Sequence, residues 1–411
     1  MIGPADRVIL RDLAVRVAEI AALPVMAERR ELWCRHNALQ PVRPMILVFP
    51  EGSWQELLPA EALRCEEPQA RAMERDLRQR IYGFEHFDSD NVVTADWVVP
   101  KAIHNSGWGL TARHTSSTTE RGAWAFDPVI NEPGDLNLLR LPEITHDEAA
   151  SAQRLAAAQE LFGDLLDVQL RGIAHISFHL MNLYTGWRGL EQVMMDMYAE
   201  PDMLHDAMAF LEEGYRRTVE QYSALGLLEL NHDNTYHSTG GNGWLEQAPS
   251  GGDGTTPVTP ADMWASAESQ EMSEVSPEFH REFVMEYEKR LLAPFALTGY
   301  GCCEALHHKL DDVFTVPGIR RISMSPFADV ERAAPIVQDR AIFSWKPQPS
   351  HLVGTFNPEL VQGYLQHGID ATEGCVLEII LKDTHTCERR PERFDAWTRI
   401  CRELVDRKSG Q

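Results

Sequence analysis

Cysteine is sparse and unpatterned in this chain: seven residues in 411, an odd number, two of them adjacent. That excludes a disulfide framework and makes reduced thiols the default, so a cysteine function here means metal binding or reactivity. Basic residues are also scarce, 38 against 62 acidic, and the formal net charge of -24 repels a nucleic-acid backbone or an anionic membrane. No local basic patch relieves it. No apolar run reaches the roughly 18 residues that a membrane span needs, and the opening "MIGPADRVILRDLAVRVAEIAALP" is an amphipathic pattern broken by charge, without a signal-peptide core. A soluble cytoplasmic protein is expected, with neither nucleic acid nor membrane as partner. No GxGxxG follows the first apolar run, which argues against a doubly wound dinucleotide-binding sheet.

What is present is an alternation. Short β-rich runs, "RPMILVFPEG", "DNVVTADWVV", "GLLELNHDN", "FALTGYGCCE", "GIRRISMSPF", "RAIFSWKP" and "GCVLEIILKD", are separated by helical stripes. In "SPEFHREFVMEYEKRLL", Ser276 and Pro277 take the cap and first-turn positions while Phe279, Phe283, Tyr287 and Leu291 share a face. The last stripe places Phe394, Trp397, Cys401 and Leu404 together. Repeated strand-then-helix units predict an α/β fold, a (β/α)8 TIM barrel over residues 41–411, preceded by an N-terminal helical extension over 1–40. The glycine-rich stretch at about 238–264 reads as a long loop, a lid or docking surface if it is more than a passive insertion.

In a barrel the residues just past each strand converge on one mouth. Those positions hold Glu51 and Trp54; His179 and Asn182; His232, Asp233 and Asn234; Cys302, Cys303 and Glu304; Lys346; and Asp383, His385 and Cys387. If "GYGCCE" is a strand end, Cys302 and Glu304 point one way and Cys303 the other. His307 and His308 fall on the next helical stripe and read as structural or solvated.

The run "YTGWRGLEQVMMDMYAEPDMLHDAM" after the middle strand, a later strand ending in cysteine, and the terminal "EIILKD" resemble the uroporphyrinogen decarboxylase superfamily over about residues 40 to 405. That superfamily includes the methyltransferases of corrinoid-dependent demethylation. The decarboxylase itself carries an arginine-bearing RQAGRY segment after its first strand; here "ILVFPEGSWQELLP" offers Glu51 and Glu56 and no arginine, a poor host for a substrate of eight carboxylates. The thiol-directed methyltransferases resemble one another in an HxC motif plus a distal cysteine that hold zinc. Here Tyr300 stands where the histidine is expected, before Gly301 and Cys302, while "KDTHTCE" supplies His385 and Cys387; the resemblance implies Cys302, His385 and Cys387 as the zinc set. It implies His232, Asp233, Glu304 and Asp383 as catalytic acids, bases or their orienters, and Glu51, Trp54, Asn234 and Lys346 as substrate contacts. A chain carrying its own corrinoid needs DxHxxG, and "TYHSTG" has Thr235 where the aspartate belongs, so the corrinoid is expected on a separate protein. The expected function is methyl transfer between a small O- or N-methylated compound, or a thiol acceptor, and that corrinoid protein, with a homodimer compatible. The alternatives are a decarboxylase of a small aromatic or heterocyclic acid and a non-catalytic small-molecule-binding barrel.

Overall fold

The computed structural model describes residues 2–115, 125–237, 239–247, 249 and 257–410. Two helices come first. In α1 (Pro4–Ala21) the buried Leu10, Ala14, Val17 and Ile20 recur at three- and four-residue spacing, and the helix lies along the helix Pro68–His86. In α2 (Pro24–Asn37) Trp33 is fully buried and its Nε1 donates to Asp90 O at 2.8 Å; Cys34 is buried beside it.

The strands are β1 (Met45–Val48), β2 (Asp96–Pro100), β3 (Ala102–Asn105), β4 (Arg113–Thr115), β5 (Ala125–Asp127), β6 (Ile144–Asp147), β7 (Asp167–Arg171), β8 (Ser177–Phe178), β9 (Trp264–Ala267), β10 (Leu297–Tyr300), β11 (Ile319–Met324), β12 (Ile342–Trp345) and β13 (Val376–Leu381). A seven-stranded parallel sheet runs β1-β13-β12-β11-β10-β9-β8, and β2 pairs in parallel with β7, which lies just before β8 in the chain. Counting β7 and β8 as one bent strand, the seven-stranded sheet plus β2 gives the eight parallel positions of a (β/α)8 barrel. The molecule is a TIM-barrel-like α/β fold, as the alternation predicts. Antiparallel pairs β3·β6 and β4·β5 lie outside it. Among the described residues β1 and β2 share no ladder, so the wall is split there. Asp90 bridges part of the split: its N–H donates to Ile46 O at 2.7 Å and its carboxylate accepts from Ile46 N at 2.8 Å. No described helix is long and apolar enough to cross a membrane.

Three expectations are corrected by the chain's local geometry. The "LELNHDN" run is not a strand: it makes one parallel bridge, Leu228 to Ile173, and Asn231 then pins it by donating to Ala174 O and Trp264 O and accepting from Trp264 N. The β10 strand stops at Tyr300, because Gly301 turns the chain at φ +89°, so Cys302 and Glu304 are not assigned to one side by strand alternation. The loop expected at about 238–264 is not a lid in its first part. Thr239, Gly240, Gly241, Asn242 and Gly243 are buried inside the barrel, Trp244 is buried where the segment meets α2, under Arg30, and Trp264 already begins β9; residues 238, 248 and 250–256 of that expected loop lie outside the described residues.

The glycines are what allow this filling of the lumen. A Cβ on Gly240, whose φ is +130°, would stand 2.0 Å from Ser344 Oγ of β12, and one on Gly243 would stand 1.8 Å from Asn231 O. Backbone therefore occupies space that barrel interiors normally give to side chains. Beneath it, the fully buried Arg321 of β11 pairs with Glu378 of β13 at 3.0 Å and donates from Nη2 to Asn37 Oδ1 at 2.8 Å and Asn242 O at 3.1 Å. His36 at the end of α2 meets Glu378 at 3.3 Å. The N-terminal helices thus supply the floor of the barrel, and one ion pair ties floor, filling and wall together.

Near the other end, the turn after β13 is anchored to the segment after β1. Glu56 accepts from Thr386 Oγ1 at 2.5 Å, Cys387 N at 3.0 Å, Cys387 Sγ at 3.3 Å and Arg389 N at 2.9 Å. Burial alone would raise this carboxyl, yet these donors bring it down to about 2.

Two outcomes are expected from this packing. Replacing Glu378 by Leu strands Arg321 in the interior and should lower unfolding free energy by about 3–5 kcal/mol in urea titrations; a change below about 1 kcal/mol would refute the role given to the pair. Glu56 has a folded pKa below its ordinary 4.5, so its stabilisation is present above that value and lost as pH falls toward about 2. Wild type should therefore exceed Glu56→Gln in melting temperature at pH 7, with the gap closing across that window; a gap independent of pH would contradict the assignment.

Candidate active site at the barrel mouth

The carboxyl ends of β10, β12 and β13, with Tyr236 from the segment entering the lumen, assemble a compact polar group. Lys346 follows β12 and is fully buried; its Nζ donates to Thr239 O at 2.7 Å and to the Ser323 hydroxyl, which in turn donates to Cys302 O at 2.7 Å. Burial brings its pKa down to about 8, with Lys382 acting in the same direction and Cys302 opposing. Lys382 follows β13. Its ammonium lies 3.5 Å from Asp383 Oδ1 and 5.9 Å from the centre of the Tyr236 ring. Burial works against that charge, while Tyr236, Cys302, Asp383 and Glu51 raise its pKa; with the phenol and the Cys302 thiol themselves neutral, the Asp383 carboxylate at 3.5 Å is the partner that holds Lys382 as a cation. The Tyr236 ring packs on Phe49 at 4.5 Å, and burial raises its hydroxyl above the ordinary tyrosine range, keeping it a neutral donor.

Cys302 and Cys303 are half-buried, with Sγ atoms 3.7 Å apart. The hydrogen bond between them favours one thiolate, lowering Cys303 and raising Cys302. Two residues on the rim are held in the left-handed backbone region that non-glycine residues avoid: Glu51 after β1 at φ 46° and Asp383 after β13 at φ 57°. Strain of this kind costs on the order of 1–3 kcal/mol per residue and concentrates where side chains must be aimed for function. Burial raises the Glu51 carboxyl, while Lys382 pulls the other way.

The structure distributes the expected site residues over five places, counting Cys387 beside Glu56. Glu51, Cys302, Lys346 and Asp383 come together at the mouth as just described, with His385 on its exposed rim, its backbone lying over Gly52. Trp54, Asp233 and Asn234 instead line a cleft of roughly 480 Å³ at the split between β1 and β2, within the size range of small-molecule sites. There Asp233 is paired with Arg171, and Asn234 donates to Val92 O at 2.6 Å and accepts from Trp244 Nε1 at 3.0 Å. His232 faces the amino end of β9, donating from Nε2 to Asp262 O at 2.6 Å, because the strand expected to carry it to the mouth does not form. Glu304 is fully buried beneath the mouth, accepting from Cys302 N at 2.7 Å and Ser269 N at 3.2 Å; burial and the nearby Glu268 raise its pKa. Glu304 is thus a brace for the Cys302 turn.

The expected zinc set is not assembled. Cys387 is fully buried and turned to Glu56, away from Cys302, because the chain leaves strand geometry at Asp383 and the two-residue spacing of His385 and Cys387 no longer aims them together. Among the described residues no three His, Cys, Asp or Glu side chains are grouped so as to hold a metal ion. The residues do not fit zinc in the manner the resemblance implied. His307 accepts from Asp329 N at 3.2 Å and His308 is exposed, consistent with structural and solvated roles, though they sit in a short 3-10 turn (Leu306–His308) and not in one long helix.

Among the mouth residues that escaped sequence reasoning are Tyr236 and Lys382. Tyr236 carried no signal, because its position depends on the insertion into the lumen. Lys382 had one: it is the first residue past the last strand, immediately before the Asp383 that was singled out.

No family model matches the chain, and no curated protein matches it. Among solved structures, a methyltransferase from Methanosarcina mazei superposes with a TM-score of 0.50 at 11% identity, covering 91% of this chain and 98% of that one. At that identity the likeness is one of fold.

Proposed function

We propose that the mouth catalyses transfer of a methyl group from a small, anionic O- or N-methylated compound to a cobalt(I) corrinoid carried by a separate protein. The observation that carries this reading is the convergence of Lys382, Lys346, Tyr236, Glu51, Asp383 and the Cys302–Cys303 pair at the carboxyl ends of the strands. In a protein of net charge -24, Lys382, paired with Asp383 and backed by Lys346, supplies the positive charge at the mouth that can meet an anionic group. Lys382 holds the carboxylate or comparable anionic end of the methyl donor. Tyr236 and Glu51 hydrogen-bond its polar edge and fix the methyl group toward the open side, where an acceptor of corrinoid size approaches. Burial of Lys346 and Glu304 beneath leaves the acceptor no competing route from below. The fold shared with a methyltransferase is compatible with this reading. Paired lysines also favour the second reading, decarboxylation of a small aromatic or heterocyclic acid, because both reactions begin by binding a carboxylate.

The test is incubation with cob(I)alamin and a panel of methoxylated and N-methylated carboxylic acids, following cob(I)alamin loss and methylcobalamin formation alongside carbon dioxide release. Methylcobalamin from at least one donor is expected, with Lys382→Met raising KM about 10- to 100-fold, the worth of a charge-assisted hydrogen bond. Carbon dioxide without methylcobalamin would move the site to decarboxylation, and neither product from any compound would end both readings.

A pH dependence follows from Lys346. It is charged below about 8 and neutral above, so KM for an anionic donor should rise as pH passes that value in wild type and stay flat in Lys346→Gln. An unchanged rise in the variant would remove Lys346 from anion binding.

A further inference from the structure

The mouth contains an imidazole–carboxylate pair that the reading above does not use. His179 follows β8 and Glu268 follows β9, and the two strands pair in register with Phe178 opposite Ala267, so the residues after them meet at one level of the mouth. His179 Nδ1 lies 2.5 Å from Glu268 Oε1. An ionised carboxylate only accepts, so Nδ1 carries the proton and the ring is fixed in one orientation. Glu268 is itself held, 4% exposed, with Oε2 accepting from Gln270 N at 3.4 Å. The second ring nitrogen, Nε2, belongs to a side chain that keeps 32% of its exposure.

The surroundings favour a charged ring. Glu268 faces it directly and is the charge that acts on it; Glu271 and Glu288 stand nearby on the following segment and helix with carboxyls that burial raises, Glu288 to about 8, and Tyr215 reaches the His179 backbone from the helix Pro201–Ala224. His175, on the residues leading into β8, donates from Nδ1 to Tyr236 O at 3.0 Å, and burial lowers its pKa, so it favours the neutral form and does not oppose a charge on His179. Burial alone would lower the imidazole's pKa, but the hydrogen bond and charge of Glu268, with Glu288 and Glu271, raise it.

We propose that His179, oriented by Glu268, is the general acid that protonates the leaving atom, and that the methyl donor is accordingly an ether. The inference rests on the methyl-transfer reading and names the substrate class within it. In the step, the methyl carbon–oxygen bond breaks with its electron pair going to oxygen. That oxygen takes the proton from His179 Nε2, and the methyl carbon bonds to the electron pair of the cobalt(I) acceptor. Neutral His179 regains its proton from water. An alkoxide or phenoxide is a poor leaving group and gains from such an acid, whereas a quaternary ammonium or sulfonium donor departs neutral and gains nothing.

The experiment compares wild type, His179→Gln and Glu268→Gln on aryl methyl ethers of increasingly acidic phenols, with cob(I)alamin as acceptor. For the least acidic phenol, kcat of His179→Gln should fall about 10²- to 10⁴-fold, and the loss should shrink steadily as the phenol becomes more acidic. In Glu268→Gln the alkaline limb of the kcat profile should move to lower pH, because the acid has lost the carboxylate that holds its proton. A loss of the same size across the whole series would make His179 structural, and an undiminished kcat would remove it from catalysis; in both cases methyl transfer itself stands. Transfer from quaternary ammonium donors but from no ether would overturn the ether assignment. A wild type inactive with every donor would instead refute the methyl-transfer reading.

Discussion

The buried pair of Arg321 and Glu378 is the contact on which the interior is organised. Each partner belongs to a different strand of one sheet, and between them they hold the end of α2, the filling segment and the strand wall. Apolar residues of similar volume at both positions would pack the lumen with less desolvation cost. They would not, however, read four separate backbone and side-chain positions at once. Arg321 also lies over the Trp264 ring at 4.9 Å, so the cation is partly matched by the face of an aromatic where donors run out. The glycines above it are then explained by close approach: a β-carbon on Gly241 would fall 2.5 Å from both Arg321 Nη2 and a Glu378 oxygen.

Because the lumen is closed from below, the polar chemistry of the barrel is confined to one face. Lys346, bonded to the filling segment through Thr239 O, marks the boundary between packed interior and open mouth. Above it the backbone of Glu51 and Asp383 is held in left-handed conformations, and the Glu56 anchor supplies the rigidity that keeps the turn beyond Asp383 in place. The wall cleft at the split between β1 and β2 is a separate space. Its apolar lining from Phe49, Trp54 and Phe87 continues toward Tyr236 through the Phe49 ring.

Much of the architecture was legible because it rests on periodicity. The apolar run "MILV" and the apolar-rich "VLEIIL", broken only by Glu378, gave β1 and β13, and the stripe of Phe394, Trp397, Cys401 and Leu404 is buried as its spacing indicates. The site was less legible, and for identifiable reasons. Tyr236 reaches the mouth, and His232 and Asp233 do not, because one non-local contact, Asn231 with Ala174 and Trp264, overrides the strand propensity of "LELN". Cys387 is diverted by the four donors that converge on Glu56, a residue far away in sequence. Gly301 was visible, but whether it would end β10 or merely sit in it depended on the left-handed turn that Leu306 and Ser323 pack against. Short-range pattern thus identified elements well and aimed individual side chains poorly once a long-range hydrogen bond intervened.

The filled lumen also constrains the order in which this chain can assemble. Backbone from the middle of the sequence cannot be threaded into a wall that is already complete, so the segment around Gly240 must be in place while the strands are still gathering. The contacts that secure it close loops of 205 residues, from Asn37 to Asn242, and 284 residues, from Asn37 to Arg321, and loops of that length make folding slow. The seam between β1 and β2, where among the described residues no ladder joins the edges, is then the natural place for the wall to come together last, around a plug already seated.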